Sequence, residues 1–71
     1  MKKYEVNTEI IARFMAENNL STSTFCQLCH ITTISFKKFL GSTKLSAKNI
    51  TAFKIAAIMN VSVFDLFKEV Q

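Results

Sequence analysis

Cys26-Gln27-Leu28-Cys29-His30 is the segment whose residue types and spacing match a reactive pattern. C-x-x-C-H is the attachment spacing for c-type haem, and C-x-x-C alone also serves redox pairs and metal sites. Each of these chemistries asks for something more. Covalent haem belongs to exported proteins, and Met1-Lys2-Lys3 runs into Tyr4-Glu5-Val6-Asn7 rather than into an apolar leader. A structural zinc site closes a tetrahedron with four ligands, and the only thiol or imidazole groups here are Cys26, Cys29 and His30, all on one short segment. A thioredoxin-like pair follows a strand in a βαβ frame, and no such frame is legible. The expectation is two buried thiols on the inward side of a helix that His30 closes. His30 is the sole histidine and the acids sit towards the ends, so no nucleophile–base or paired-carboxylate arrangement forms. No catalysis, cofactor, metal or small-molecule ligand is expected.

The lysines carry a second chemistry. Lys2, Lys3 and Arg13 balance Glu5, Glu9 and Glu17 near the start, while Asp65, Lys68 and Glu69 leave the last residues slightly acidic. Between them lie Lys37, Lys38, Lys44, Lys48 and Lys54 with no acid at all, inside a net charge of +4. A one-signed middle between balanced ends suits a polyanionic partner. A solvated lysine face is the plainer alternative.

The elements that must position these groups are short. A chain of 71 residues is one domain, and at that size only about 60% of the unfolded surface is buried on folding. Apolar residues make up 49%, with seven Phe, no Pro and one Gly, which leaves long stretches free to be helical. No window approaches the roughly 18 apolar residues of a membrane span. Two cysteines without an export signal suggest a reducing, cytoplasmic setting.

One punctuation recurs: Asn19-Leu20-Ser21, His30-Ile31-Thr32 and Asn60-Val61-Ser62. The first residue can take the left-handed conformation that closes a helix. The third is an N-cap for the next helix. The middle one staples onto the fourth helical residue, pairing Leu20 with Phe25, Ile31 with Phe36 and Val61 with Leu66. Val6-Asn7 with Ile11 and Leu45-Ser46 with Ile50 fit the same rule, and Ser62 with Asp65 resembles a capping box. The spacing predicts an all-α bundle of five short helices over about 8–18, 22–29, 33–40, 47–59 and 63–69, with Gly41 just past the third.

This pattern resembles the phage Cro and lambda-repressor-like (Xre-type) helix-turn-helix domains, from about Asn7 to Phe67. Its strongest stretch is Leu20-Ser21-Thr22-Ser23-Thr24-Phe25-Cys26-Gln27-Leu28-Cys29-His30-Ile31-Thr32-Thr33-Ile34-Ser35-Phe36. That stretch has the leucine-serine entry, a small residue (Cys26) where helices 2 and 3 touch, and an apolar-hydroxyl turn. Asn60 to Phe67 is similar to the closing helix. His30 stands where the family usually has Gly, and Leu40 where it often has an acid. The resemblance implies a cytoplasmic, sequence-specific regulator of double-stranded DNA, a phage or bacterial repressor acting as a homodimer on a palindromic operator. A protein-interaction module that keeps the fold is the alternative.

At roughly 100° per residue, Phe36, Phe39 and Leu40 share one inward arc of helix 3, with Ile34 and Lys38 opposite. The resemblance puts the start of this helix against base edges, which implies base-edge contacts from Thr33, Ile34, Lys37 and Lys38. The expected phosphate contacts are Ser21, Thr22, Ser35, Lys44, Lys48 and Asn49. Helix 4 is apolar nearly all round. The register implied by the resemblance turns Ala52, Ile55, Ala56 and Met59 inward, leaving Ile50, Phe53, Ala57 and Ile58 as a second stripe. Phe53, Ile58, Val63 and Phe67 are the candidate dimer interface.

Overall fold

The structure, a computed structural model, describes residues 3–42 and 49–70. Strand β1 (Lys3–Val6) leads into helices α1 (Thr8–Glu17), α2 (Thr22–Leu28), α3 (Thr33–Leu40) and α4 (Ile50–Met59). A 3-10 turn at Val63–Leu66 then delivers the chain into strand β2 (Phe67–Val70).

The corners between helices follow from the repeated punctuation. Asn19, His30 and Asn60 sit at φ 54°, 57° and 57°, the left-handed residues among those described. Each closes its helix with the same pair of bonds. Leu20 N–H reaches Met15 C=O at 2.8 Å while Asn19 N–H reaches Ala16 C=O at 3.3 Å. Ile31 to Cys26 (3.0 Å) with His30 to Gln27 (3.1 Å), and Val61 to Ala56 (3.0 Å) with Asn60 to Ala57 (3.4 Å), repeat it. This is the Schellman arrangement, which satisfies carbonyls a helix end would otherwise leave open. The next helix starts at once. Ser21 Oγ accepts from Thr24 N–H and Thr32 Oγ1 from Ser35 N–H. Ser62 Oγ accepts from Phe64 N–H, and Asp65 Oδ2 returns the favour to Ser62 N–H at 3.0 Å.

Two expected caps differ. Asn7 makes no side-chain cap; its N–H instead donates to Leu66 C=O at 2.7 Å, because the chain there is leaving a sheet. Helix α4 is capped by Asn49, whose Oδ1 accepts from Ala52 N–H at 3.1 Å. The cap expected at Ser46, with Leu45, lies outside the described residues. Gly41 ends α3 at φ −90°, not in the left-handed region.

The larger correction concerns the fifth helix and with it the all-α class. The fold is mostly helical with a small antiparallel two-stranded sheet. The capping box supports one turn, and at Phe67 the backbone opens to φ −121°, ψ 149°. Beyond it β2 pairs with β1 in the register Lys3↔Val70, Tyr4↔Glu69, Glu5↔Lys68 and Val6↔Phe67. Pairing with the other end of the chain supplies the hydrogen bonds that a continued helix would have made internally.

The core joins β1, all four helices and the closing segment. Val6, Ile11, Phe25, Cys26, Cys29, Phe36, Phe39, Ala52, Ile55, Ala56, Val63, Leu66 and Phe67 are buried. Phe14, Phe25 and Phe36 form an edge-to-face chain at 5.9 and 5.6 Å, and Phe39 meets Phe67 at 5.8 Å. Such pairs add about 0.5–1.5 kcal/mol each beyond burial. Leu20, Ile31 and Val61, the expected staple residues, are partly buried against this core, of which Phe25, Phe36 and Leu66 are members.

Candidate nucleic-acid interface

Phe36 and Phe39 anchor α3 to the core, and that anchoring decides what the helix shows to solvent. Thr33, Lys37 and Lys38 are exposed, and Ile34 is 68% exposed among them. The expected base-contacting residues thus share one outward face. Among the described residues no carboxylate pairs with Lys37 or Lys38; the ion pair there joins Glu5 and Lys68 at 3.3 Å.

The expected phosphate contacts fall in two places. Ser21 and Thr22 are exposed at the start of α2, where the Ser21 hydroxyl also donates to Thr24 Oγ1 at 3.0 Å. Ser35 and Asn49 come together across a polar hollow of about 230 Å³ between α3 and the start of α4, lined by Ser35, Lys38, Phe39, Ser42, Asn49 and Thr51. Ser35 Oγ accepts the Thr32 hydroxyl proton at 3.0 Å, which leaves its own proton for another acceptor. Asn49 uses its oxygen in the α4 cap, which leaves its NH2 group as a donor. Thr51 was not anticipated: as a hydroxyl inside an apolar helix it lacks any periodic signal. Lys44 and Lys48 lie outside the described residues.

One lysine of the basic run is structural. Lys54 Nζ donates to His30 C=O at 3.2 Å, so a residue of α4 clasps the end of α2 where the chain turns into α3. A cation at a helix C-terminus also meets the negative end of the dipole. The bond holds the two-helix unit against α4.

The thiols sit as expected on the inward side of α2. Cys26 and Cys29 are free and buried. Burial pushes the Cys29 thiol up to about 11, with the neighbouring Cys26 adding to the rise, and burial also raises Cys26. A protonated, enclosed thiol is a poor nucleophile and a poor metal ligand. Among the described residues no group of three or more His, Cys, Asp or Glu side chains converges as a metal site, and no helix is long and apolar enough to cross a membrane.

On α4, Ala52, Ile55 and Ala56 are buried and Met59 packs partly on the core, while Ile50, Phe53, Ala57 and Ile58 face outward. The interface expected at Phe53, Ile58, Val63 and Phe67 is divided by the structure. Phe53 and Ile58 are exposed, but Val63 and Phe67 are buried. A 3-10 turn repeats every three residues, so Val63 and Leu66 both face inward and Phe64 points out at 61% exposure. Phe67 then enters the sheet and packs on Phe39. The expected interface named Val63 and Phe67 and left out Phe64, the apolar residue of this turn that is most exposed. With Phe53, Ala57 and Val61 it lines an apolar groove of about 380 Å³.

No protein-family model, curated protein or solved structure matches the chain.

Proposed function

We propose that this chain is a cytoplasmic, sequence-specific binder of double-stranded DNA that regulates transcription, of the Xre-type helix-turn-helix kind, and a phage or bacterial repressor. The observation that supports it most is the outward face of α3, where Thr33, Ile34, Lys37 and Lys38 stand together on a helix pinned by Phe36 and Phe39. In the major groove Lys38 would donate to guanine O6 and N7, and Ile34 would rest on a thymine methyl. Phosphates on either side would meet Ser21 and Thr22, the hollow formed by Ser35, Lys38 and Asn49, and Lys44 and Lys48. As a homodimer the protein would set two such helices about 34 Å apart on a palindromic site.

Electrophoretic shifts on random-sequence duplex pools at two salt concentrations test this. If about four lysines neutralise phosphates, the slope of log affinity against log salt is near −3.6. Lys38→Ala should cost about 1–3 kcal/mol and relax one base position. A flat salt response sinks the proposal.

The 68% exposure of Ile34 also favours a second function, a protein-interaction module using the same face. Retained DNA affinity in Lys38→Ala, together with lost partner binding in Ile34→Ala, would select it.

A further inference from the structure

Helix α4 is apolar on two sides, and the core takes only one of them. On the other, Ile50, Phe53 and Ala57 recur at i, i+3 and i+7, the spacing of a helix-pairing seam, and Ile50 and Phe53 are both more than half exposed. Past Ala57 the seam runs into the groove lined by Phe53, Ala56, Ala57, Val61 and Phe64. No charged residue lines that groove. Lys54, the cation of α4, is held by His30 C=O at 3.2 Å. A surface of this kind rewards an apolar partner and has nothing to offer an anion.

Size and shape select a second copy as that partner. At their exposures Ile50, Phe53, Ala57 and Phe64 offer on the order of 400 Å² of apolar surface, a patch as large as ordinary monomers show. Apolar atoms make up about 56–65% of an interface. Joining two copies over the patch therefore buries about 1,300 Å² in all, within the roughly 1,200–2,000 Å² of a specific, stable pair. The patch is also its own complement. Ile50 and Phe53 stand out at one end of it, and the groove opens at the other, past Ala57 and up to Phe64. Antiparallel pairing of two α4 helices lays one copy's projecting end on the other's groove, twice over. It also puts the small side chain of Ala57 on the two-fold axis, where the helices approach most closely. Parallel pairing would set Phe53 on Phe53 and Phe64 on Phe64, and would leave both grooves open.

We propose that two copies of this chain associate through antiparallel α4 helices crossing at Ala57, with Phe53 of each copy seated in the groove beside Phe64 of the other. The contact is isologous. It rests on the homodimer reading of the preceding section and gives it a location, without depending on DNA binding. Phe64 takes the part that Val63 and Phe67, both buried, cannot play.

Sedimentation equilibrium on the wild type, Ala57→Glu, Ala57→Lys and an equimolar mixture of the two variants tests it. Ala57 is exposed on a helix, so both variants keep their fold, which circular dichroism verifies. A residue on the axis faces its own copy. Each variant alone therefore opposes like charges and should raise the dimer dissociation constant at least about a hundredfold, while the mixture should recover a dimer with one copy of each. Phe64→Ala should weaken the wild-type contact at least about tenfold. Monomer at every wild-type concentration overturns the proposal. So does a dimer indifferent to the charged variants or to Phe64→Ala, and so does a mixture that stays monomeric, because Ala57 then does not lie on the axis. Electrophoretic shifts on the same samples separate the two questions. A dimer that binds no DNA leaves the α4 contact standing and ends the DNA proposal; a monomer that binds DNA ends the α4 contact and leaves the DNA proposal standing.

Discussion

The helix corners and the terminal sheet are both closures of the chain, yet they are specified in opposite ways. Each corner is written in three consecutive residues. Its left-handed closer, its stapled apolar residue and its capping hydroxyl act within one turn of one another, and the result repeats at Asn19, His30 and Asn60 with nearly the same φ. The sheet joins two four-residue strands from opposite ends of the chain, and neither strand has a local device that requires it. Local devices are individually cheap and redundant. A long-range closure is a single element whose loss exposes a core.

The largest effect should come from breaking the sheet side. Phe67→Ala removes the ring that packs on Phe39 and opens a cavity beneath β2, at about 3–5 kcal/mol in equilibrium denaturation. A cost no greater than that of a lost cap would mean that the sheet is not what closes the core. Raising the pH probes the α2 side of the same core. An acid whose folded value lies above its unfolded one binds more protons when folded, so stability is full below the ordinary thiol value of 9.0 and falls as pH climbs towards about 11 for Cys29. A Cys29→Ala variant whose stability falls as steeply over that window would contradict this.

Corner effects should be smaller. Thr32→Ala removes the acceptor of Ser35 N–H and should cost about 1 kcal/mol. His30→Gly should stabilise by about 0.5–1 kcal/mol, because glycine occupies φ 57° without a Cβ penalty; Asn60→Gly should gain less, as Asn tolerates that region. Smallest is Gly41→Ala, with a gain of about 0.5 kcal/mol. Gly41 has ordinary φ, and an added Cβ would lie 3.8 Å from Lys38 C=O. If His30→Gly destabilises, the corner is held by the imidazole rather than by the backbone.

The candidate site was legible to different depths in its different parts. The face of α3 followed from a helical period and two phenylalanines. The grouping of Ser35, Lys38, Asn49 and Thr51 around one hollow required α3 and α4 to meet, which no spacing records. Lys54 counted only as charge until its bond to His30 gave it a structural task. Phe64 was not among the expected interface residues; the 3-10 turn buries Val63 and Leu66 and leaves it outside.

Caps, staples and left-handed closers are interactions between residues within about one helical turn of each other, so the sequence alone set the three corners and the limits of α3. The two strands carry too few residues to reveal themselves. Glu5 and Lys68, like Val6 and Phe67, acquire meaning only when the folded core brings the chain ends together and leaves their backbone groups in need of partners. Tertiary structure therefore decided that the last segment is a strand and that Val63 and Phe67 are interior.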